Sequence, residues 1–224
     1  MPGRTKTSEL KSDAKRALIM AAALDLFRDQ GFEKTTMREI AKAAGVATGA
    51  AYYYFDSKEA IVLAFYIQAQ NEMAPRLEEA IEKAKDLRAS VVGLIQVKLH
   101  YFGKSRRLMS ALTGKVNPSD PLSPFGEYTR SIREADISFF DKALTMAKSR
   151  IPDDLRKHLP GLLWLYQMGI VLYWIFDNSS SQKTTHSILD KSAGLLVTLI
   201  QISSFPLLRP LRRTVVEIVE SAGA

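Results

Sequence analysis

Apolar positions recur along this chain at steps of three and four, the period of a helix with one buried stripe. Ile19, Ala23 and Phe27, with Leu26 beside them, predict a first helix from about Ser12 to Gln30. Gly31 is its terminator and Phe32 the apolar residue that follows. Thr36-x-x-Glu39 has the pattern of a capping box and predicts a second helix that ends at Ala44-Gly45. A short helix is expected over Thr48–Phe55. Asp56-x-x-Glu59, read as another capping box, opens a long one from about Ser57 to Lys85, with Pro75 predicting a kink inside it.

Further on, Val91, Leu94, Ile95, Leu99 and Phe102 form another stripe. GKVNPSDPLSP, residues 114–124, is a proline-rich loop. Phe125, Tyr128, Ile132, Ala135, Phe139, Ala143 and Met146 then repeat as one helix face, and Pro152 and Pro160 stand where helices begin. Residues 161–176 are apolar all round, interrupted by Gln167 and two glycines. A last apolar helix is expected over 184–205, bounded by Pro206 and Pro210. Strand-like alternation is scarce, so the expected class is all-α.

Thr35 to Ala60 is the informative stretch. Two short helices joined by a tight turn at Gly45 make a helix-turn-helix over residues 36–55. Glycine there accepts the left-handed backbone of the turn. Ala41 is small enough for a close helix crossing, and Ile40, Val46 and Ala51 can fill the small core. Thr48, Gly49, Ala50 and Tyr52 then point outward from the start of the second helix, the end that meets base edges in such motifs. Tyr52-Tyr53-Tyr54-Phe55 cannot all be buried on one short helix, and a tyrosine hydroxyl donates well to a phosphate oxygen. Lys58 stands in the first turn of the next helix, where the helix dipole disfavours a cation unless an anion is near.

Residues 16–62 resemble the DNA-binding domain of tetracycline-repressor-type (TetR-family) regulators. The resemblance rests on Ala23–Phe27, Gly31-Phe32, Thr35-Thr36, Ile40-Ala41, Ala44-Gly45-Val46 and the run Gly49–Ala60. It implies an N-terminal three-helix helix-turn-helix domain (12–57) behind a flexible basic arm (1–11), then a larger helical ligand-binding and dimerisation domain (58–224). By position it implies base contacts for Met37, Thr48, Gly49, Ala50 and Tyr52, and phosphate contacts for Thr36, Tyr53, Tyr54 and Lys58. One departure stands out: the usual serine-like cap of the recognition helix is Ala47 here. The resemblance also implies an effector site drawn from Phe102, Met109, Phe125, Tyr128, Phe139, Trp164, Tyr166 and Gln167, for a small hydrophobic or aromatic molecule. For each of these residues, plain core packing is the alternative. Homodimerisation is expected through the 160–177 and 184–205 helices, on double-stranded DNA, in the cytoplasm and without a membrane.

Charge adds less than its total suggests. The net charge is +7, with 31 Lys and Arg against 24 Asp and Glu. Residues 1–60 carry 10 basic and 8 acidic residues, whereas 83–115 carry 8 basic residues and the single acid Asp86. The run with Lys98, Lys104, Arg106, Arg107 and Lys115 is read as a solvated face, and Asp136 as a rim residue paired with an arginine. Two readings stand for the arm with Arg4, Lys6, Lys11, Lys15 and Arg16: phosphate or minor-groove contacts, or a solvated, partly disordered tail. The chain has no cysteine, which removes disulfides and thiolate chemistry. His100, His158 and His186 lie too far apart in sequence to suggest a metal site, and no cofactor is implied. Two other readings stay open: a helical enzyme whose N-terminus only looks like a helix-turn-helix, and a membrane-associated helical protein.

Overall fold

The computed structural model describes residues 3–147 and 151–222, and among them every regular element is helical. The chain forms two compact units. The first holds the chain up to Gln70 together with Phe102–Arg130, and the second holds Asn71–Tyr101 and the chain from Ser131 onward.

In the first unit, helix α1 (Gly3–Asp29) buries Ile19, Ala23 and Phe27 completely. Residues 3–11, expected as an arm, are the first turns of this helix; the side chains of Arg4 and Lys6 lie outside the described residues. The helix stops at Gly31, whose φ of +93° suits glycine best. Phe32 then folds back until its ring centroid is 5.1 Å from that of Phe27. Helices α2 (Met37–Ala43) and α3 (Thr48–Tyr54) follow, turned at Gly45 with φ +65°. The 25-residue helix α4 (Lys58–Glu82) begins in this unit and continues into the second.

The cap of α4 differs from the expected Asp56/Glu59 box. The helix starts at Lys58, so the preceding residue, Ser57, takes the cap position and its Oγ accepts from the Ala60 N–H at 3.1 Å. Pro75 lies inside α4 without ending it. Proline has no N–H, so the Asn71 carbonyl lacks its helical donor. Asn71 is also where the chain passes from the first unit to the second.

Helix α5 (Leu87–Phe102) leads through a 3-10 turn into α6 (Arg106–Leu112), a helix not anticipated within the basic run. The run is not a plain solvated face. The Arg107 guanidinium donates to the Asp29 carbonyl at 2.7 Å, capping the C-terminus of α1. Lys115 pairs with Asp120 at 3.3 Å and lies 5.6 Å from the Phe32 ring centre. Lys98 is buried.

Residues 113–129 form a folded loop, and α7 (Arg130–Met146) starts only after it. The expected helix face therefore loses Phe125 and Tyr128, which sit in the loop 42% and 67% exposed. Local hydrogen bonds compete with helix there. Ser123 Oγ donates to the Val116 carbonyl, Thr129 Oγ1 donates to the Ser123 carbonyl, and the Leu122 N–H donates to Asp120 Oδ1.

The second unit packs α4 and α5 with α7, α8 (Asp153–Arg156), α9 (Leu159–Phe176) and α10 (Lys183–Ile202). A Cβ added at Gly93 would lie 3.2 Å from that of Ala80, so α4 and α5 approach closely. Asp177 closes α9 against α10: its carboxylate accepts from the Ser179 N–H, the Thr185 N–H and the Thr185 hydroxyl at 2.6–2.8 Å. Those donors hold its pKa well below the ordinary carboxylate range.

Beyond α10 the chain does not stop at its prolines. Pro210 occupies the first turn of α11 (Arg209–Ala222), where a missing N–H costs nothing, so the proline taken as a terminator is part of a helix start. Helix α9 is long and apolar enough to cross a membrane by length and composition. Its buried face (Leu163, Trp164, Gln167, Ile170, Trp174) packs within this unit.

Candidate DNA interface

Helix α3 is held from beneath. Ala41 is 1% exposed and Ala51 0%, so α2 and α3 meet through small side chains. The Val46 N–H donates to the Ala41 carbonyl at 3.0 Å across the turn. Thr36 and Glu39 complete the expected capping box. The Glu39 N–H donates to Thr36 Oγ1 at 3.2 Å, and the Thr36 N–H donates to Glu39 Oε2 at 2.8 Å. The hydroxyl of Thr36 also donates to Glu39 Oε2, and these bonds lower the glutamate pKa.

Ala47 is the N-cap of α3, with extended backbone and no side-chain acceptor, and Thr48 is the first helical residue. Thr48 and Gly49 are exposed, and Ala50 is half-buried. Of the four aromatics, Phe55 is 3% exposed and lies under the Arg16 guanidinium, 4.7 Å from its ring centre. Tyr52 is 49% exposed and Tyr53 82%, while Tyr54 is half-buried and meets Tyr53 edge to face at 5.2 Å.

Two of the expected contacts look different in the structure. Met37 is 6% exposed and packs inward, so it presents no surface to a base here; as the first residue of α2 it sits on the face that also buries Ile40 and Ala41. Lys58 resolves its conflict with the helix dipole inside the protein. Its ammonium donates to the carbonyls of Phe32 at 2.8 Å and Glu33 at 3.4 Å and lies 4.6 Å from the centre of the Phe32 ring. An ammonium has three donors, so these carbonyls orient it without exhausting it. Arg38 and Lys42, exposed and four apart on α2, add cations to the surface of this unit. Their i, i+4 spacing is legible in the sequence.

The expected effector residues divide between the units. Phe102, Met109, Phe125 and Tyr128 lie in the first, and Phe139, Trp164, Tyr166 and Gln167 in the second. Tyr166 shares a 2.7 Å hydrogen bond with Ser192, tying α9 to α10.

Residues 19–65 match the model of bacterial regulatory proteins of the tetR family, and residues 103–218 match the tetracyclin repressor-like C-terminal domain. The chain is a TetR-family transcriptional regulator. It is a DNA-binding protein of helix-turn-helix type, from a family of regulators rather than of enzymes. This TetR-family chain is 27% identical to the transcriptional regulator UidR of Escherichia coli over 111 residues, 49% of this chain and 57% of UidR. It is 32% identical to the transcriptional repressor KstR2 of Rhodococcus jostii over 81 residues, 36% of this chain and 40% of KstR2. Each match thus spans about half, or less, of the relative's length. In fold it is similar to the regulator FadR of Bacillus subtilis, crystallised with stearoyl-CoA, with a TM-score of 0.62, 18% identity and coverage of 81% of this chain and 97% of that one.

Proposed function

We propose that this TetR-family regulator is a repressor that binds a near-palindromic operator as a homodimer and leaves it when a small, mainly apolar effector binds. Residues 12–57 are the DNA-reading part, and residues 58–224 hold the effector and the dimer contact. The reading is carried by the outer face of α3. Thr48, Gly49, Ala50 and Tyr52 meet base edges, and Tyr53, Tyr54, Thr36 and the tethered Lys58 meet phosphates. Short side chains at 48–50 suit thymine methyl groups and groove shape better than guanine edges. Two-fold operator symmetry follows from two-fold protein symmetry.

Dimerisation is supported by apolar side chains that α9 and α10 leave uncovered. Leu165, Leu172, Tyr173 and Phe176 on α9 are 43–58% exposed, and Leu195 and Leu199 on α10 are 63% and 51% exposed. Their spacing puts each set on one helix face, the pattern expected of a bundle formed with a second copy rather than of a lipid contact. Effector control is supported by the likeness to FadR and by the buried aromatic and polar side chains of the second unit. Such an effector acts by favouring a dimer geometry in which the two reading helices no longer match the operator.

Light scattering tests the assembly. The wild-type chain is expected at twice its monomer mass, and Leu172→Glu with Leu195→Glu at the monomer mass, with operator affinity lost in parallel. A monomeric wild-type chain that binds operator with full affinity would contradict the proposal.

A further inference from the structure

Three polar side chains meet inside the second unit with almost no access to water: Lys98 of α5, Asp136 of α7 and Gln167 of α9. The Lys98 and Asp136 side chains are 6% and 13% exposed, and Gln167 is 2% exposed. The Lys98 ammonium is ion-paired with Asp136 Oδ2, and Gln167 Nε2 donates to the same oxygen at 3.3 Å. Helical spacing surrounds them with buried apolar residues. Leu94 and Ile95 lie one turn from Lys98, Phe140 one turn from Asp136, and Leu163 and Trp164 one turn from Gln167.

This arrangement is an expensive way to build a core. Desolvating an ion pair commonly costs as much as the pairing returns, and burial holds the Lys98 ammonium below the ordinary lysine range. Gln167 Oε1 is buried without a hydrogen-bond partner among the described residues. Turning the amide over would set that oxygen against the Asp136 carboxylate and strand both amide N–H groups instead. The cluster therefore offers an unused acceptor beside an ammonium whose N–H groups outnumber its one carboxylate. The amide Nε2 of Gln167 and the Lys98 ammonium converge on one carboxylate oxygen, so the amide and the ammonium stand side by side.

We propose that this cluster is the polar end of the effector site and selects an uncharged, hydroxyl- or amide-bearing apolar molecule, which donates to Gln167 Oε1 and accepts from Lys98 Nζ. The inference rests on the effector-released reading above and narrows its ligand class. Lys98 and Asp136 already neutralise each other. A carboxylate head would bring an uncompensated negative charge against Asp136 and the glutamine oxygen, and would itself have to be desolvated.

The probes are 1-octanol and octanoate, which share one chain length and differ in the head. Each is titrated into the full chain near neutral pH, where the carboxylate is ionised, and intrinsic tryptophan fluorescence reports from Trp164, one turn from Gln167. Saturable binding of 1-octanol is expected, with octanoate at least about tenfold weaker. Gln167→Met should weaken 1-octanol about tenfold, the worth of one neutral hydrogen bond. The paired change Lys98→Met with Asp136→Leu should also weaken 1-octanol, because the ammonium its oxygen accepts from is gone, and should not bring octanoate to parity, because an apolar site desolvates a carboxylate without compensation. Octanoate binding as tightly as 1-octanol, no saturable binding of 1-octanol, or unchanged alcohol affinity in Gln167→Met would each overturn the proposal. Operator binding by the same samples is scored separately. Selective alcohol binding without operator binding removes the repressor reading and leaves this one standing, whereas operator binding without alcohol binding does the reverse.

Discussion

Single residues carry the local logic of this regulator. Ala47 caps the recognition helix without a side-chain acceptor, although its backbone is already extended as a cap requires. Ala47→Ser should supply the missing hydrogen bond to the first-turn N–H groups and raise stability by about 1 kcal/mol, measured by urea denaturation. Thr36→Ala removes half of a completed capping box and should cost about 1 kcal/mol. Asp177 gives a pH signature. Its folded pKa is depressed by the Thr185 and Ser179 donors, so its contribution is complete above the ordinary carboxylate value of about 4 and is lost as pH falls below it. Urea midpoints taken across the acid limb should therefore fall less steeply in Asp177→Asn, which should also be less stable than wild type at neutral pH. Equal slopes for the two proteins would refute the assignment.

At the scale of elements, what was legible in the sequence was local. The end of α1 at Gly31, the Thr36/Glu39 box and the turn at Gly45 each depend on neighbours within a few residues, and all three stand as read. Sequence and structure part where two local rules compete or where the partner is distant. Pro210 fits a helix stop and a helix start equally well, and only the amphipathic stretch after it decides for α11. Phe125 and Tyr128 continue a helical spacing, but Ser123, Thr129 and Asp120 hold that segment as a loop. Lys98 and Asp136 are 38 positions apart, so nothing near either one announces their pairing. Lys58 showed its conflict with the helix dipole but not the answer, because the carbonyls of Phe32 and Glu33 lie 26 and 25 positions away.

Helix α4 supplies the prediction at this scale. Pro75 frees the Asn71 carbonyl where the chain passes between the two units. Pro75→Ala should restore a helical hydrogen bond and stiffen that point. Amide exchange around residue 71 should slow, and effector should become less able to release operator. Unchanged exchange and release would show that the Asn71 carbonyl freed by Pro75 plays no part in release.

The whole molecule combines a helix-turn-helix unit with a helical unit that has uncovered apolar faces and a buried polar cluster. Net charge was a poor guide to the DNA-binding part, because residues 1–60 are nearly balanced and the basic excess lies in 83–115. There Lys98, Arg107 and Lys115 are engaged with the protein itself. Operator affinity should therefore depend on a few placed donors rather than on bulk charge. The measurement that tests this most directly is anisotropy of labelled duplexes from the DNA flanking the gene, titrated against salt, for wild type, Tyr53→Phe and Lys58→Met. The account predicts selective binding by two subunits with a steep salt dependence. Tyr53→Phe should weaken it several-fold, Lys58→Met should weaken it further and flatten the slope, and both variants should remain folded. Weak binding that is equal on unrelated duplexes, or full affinity in both variants, would contradict it.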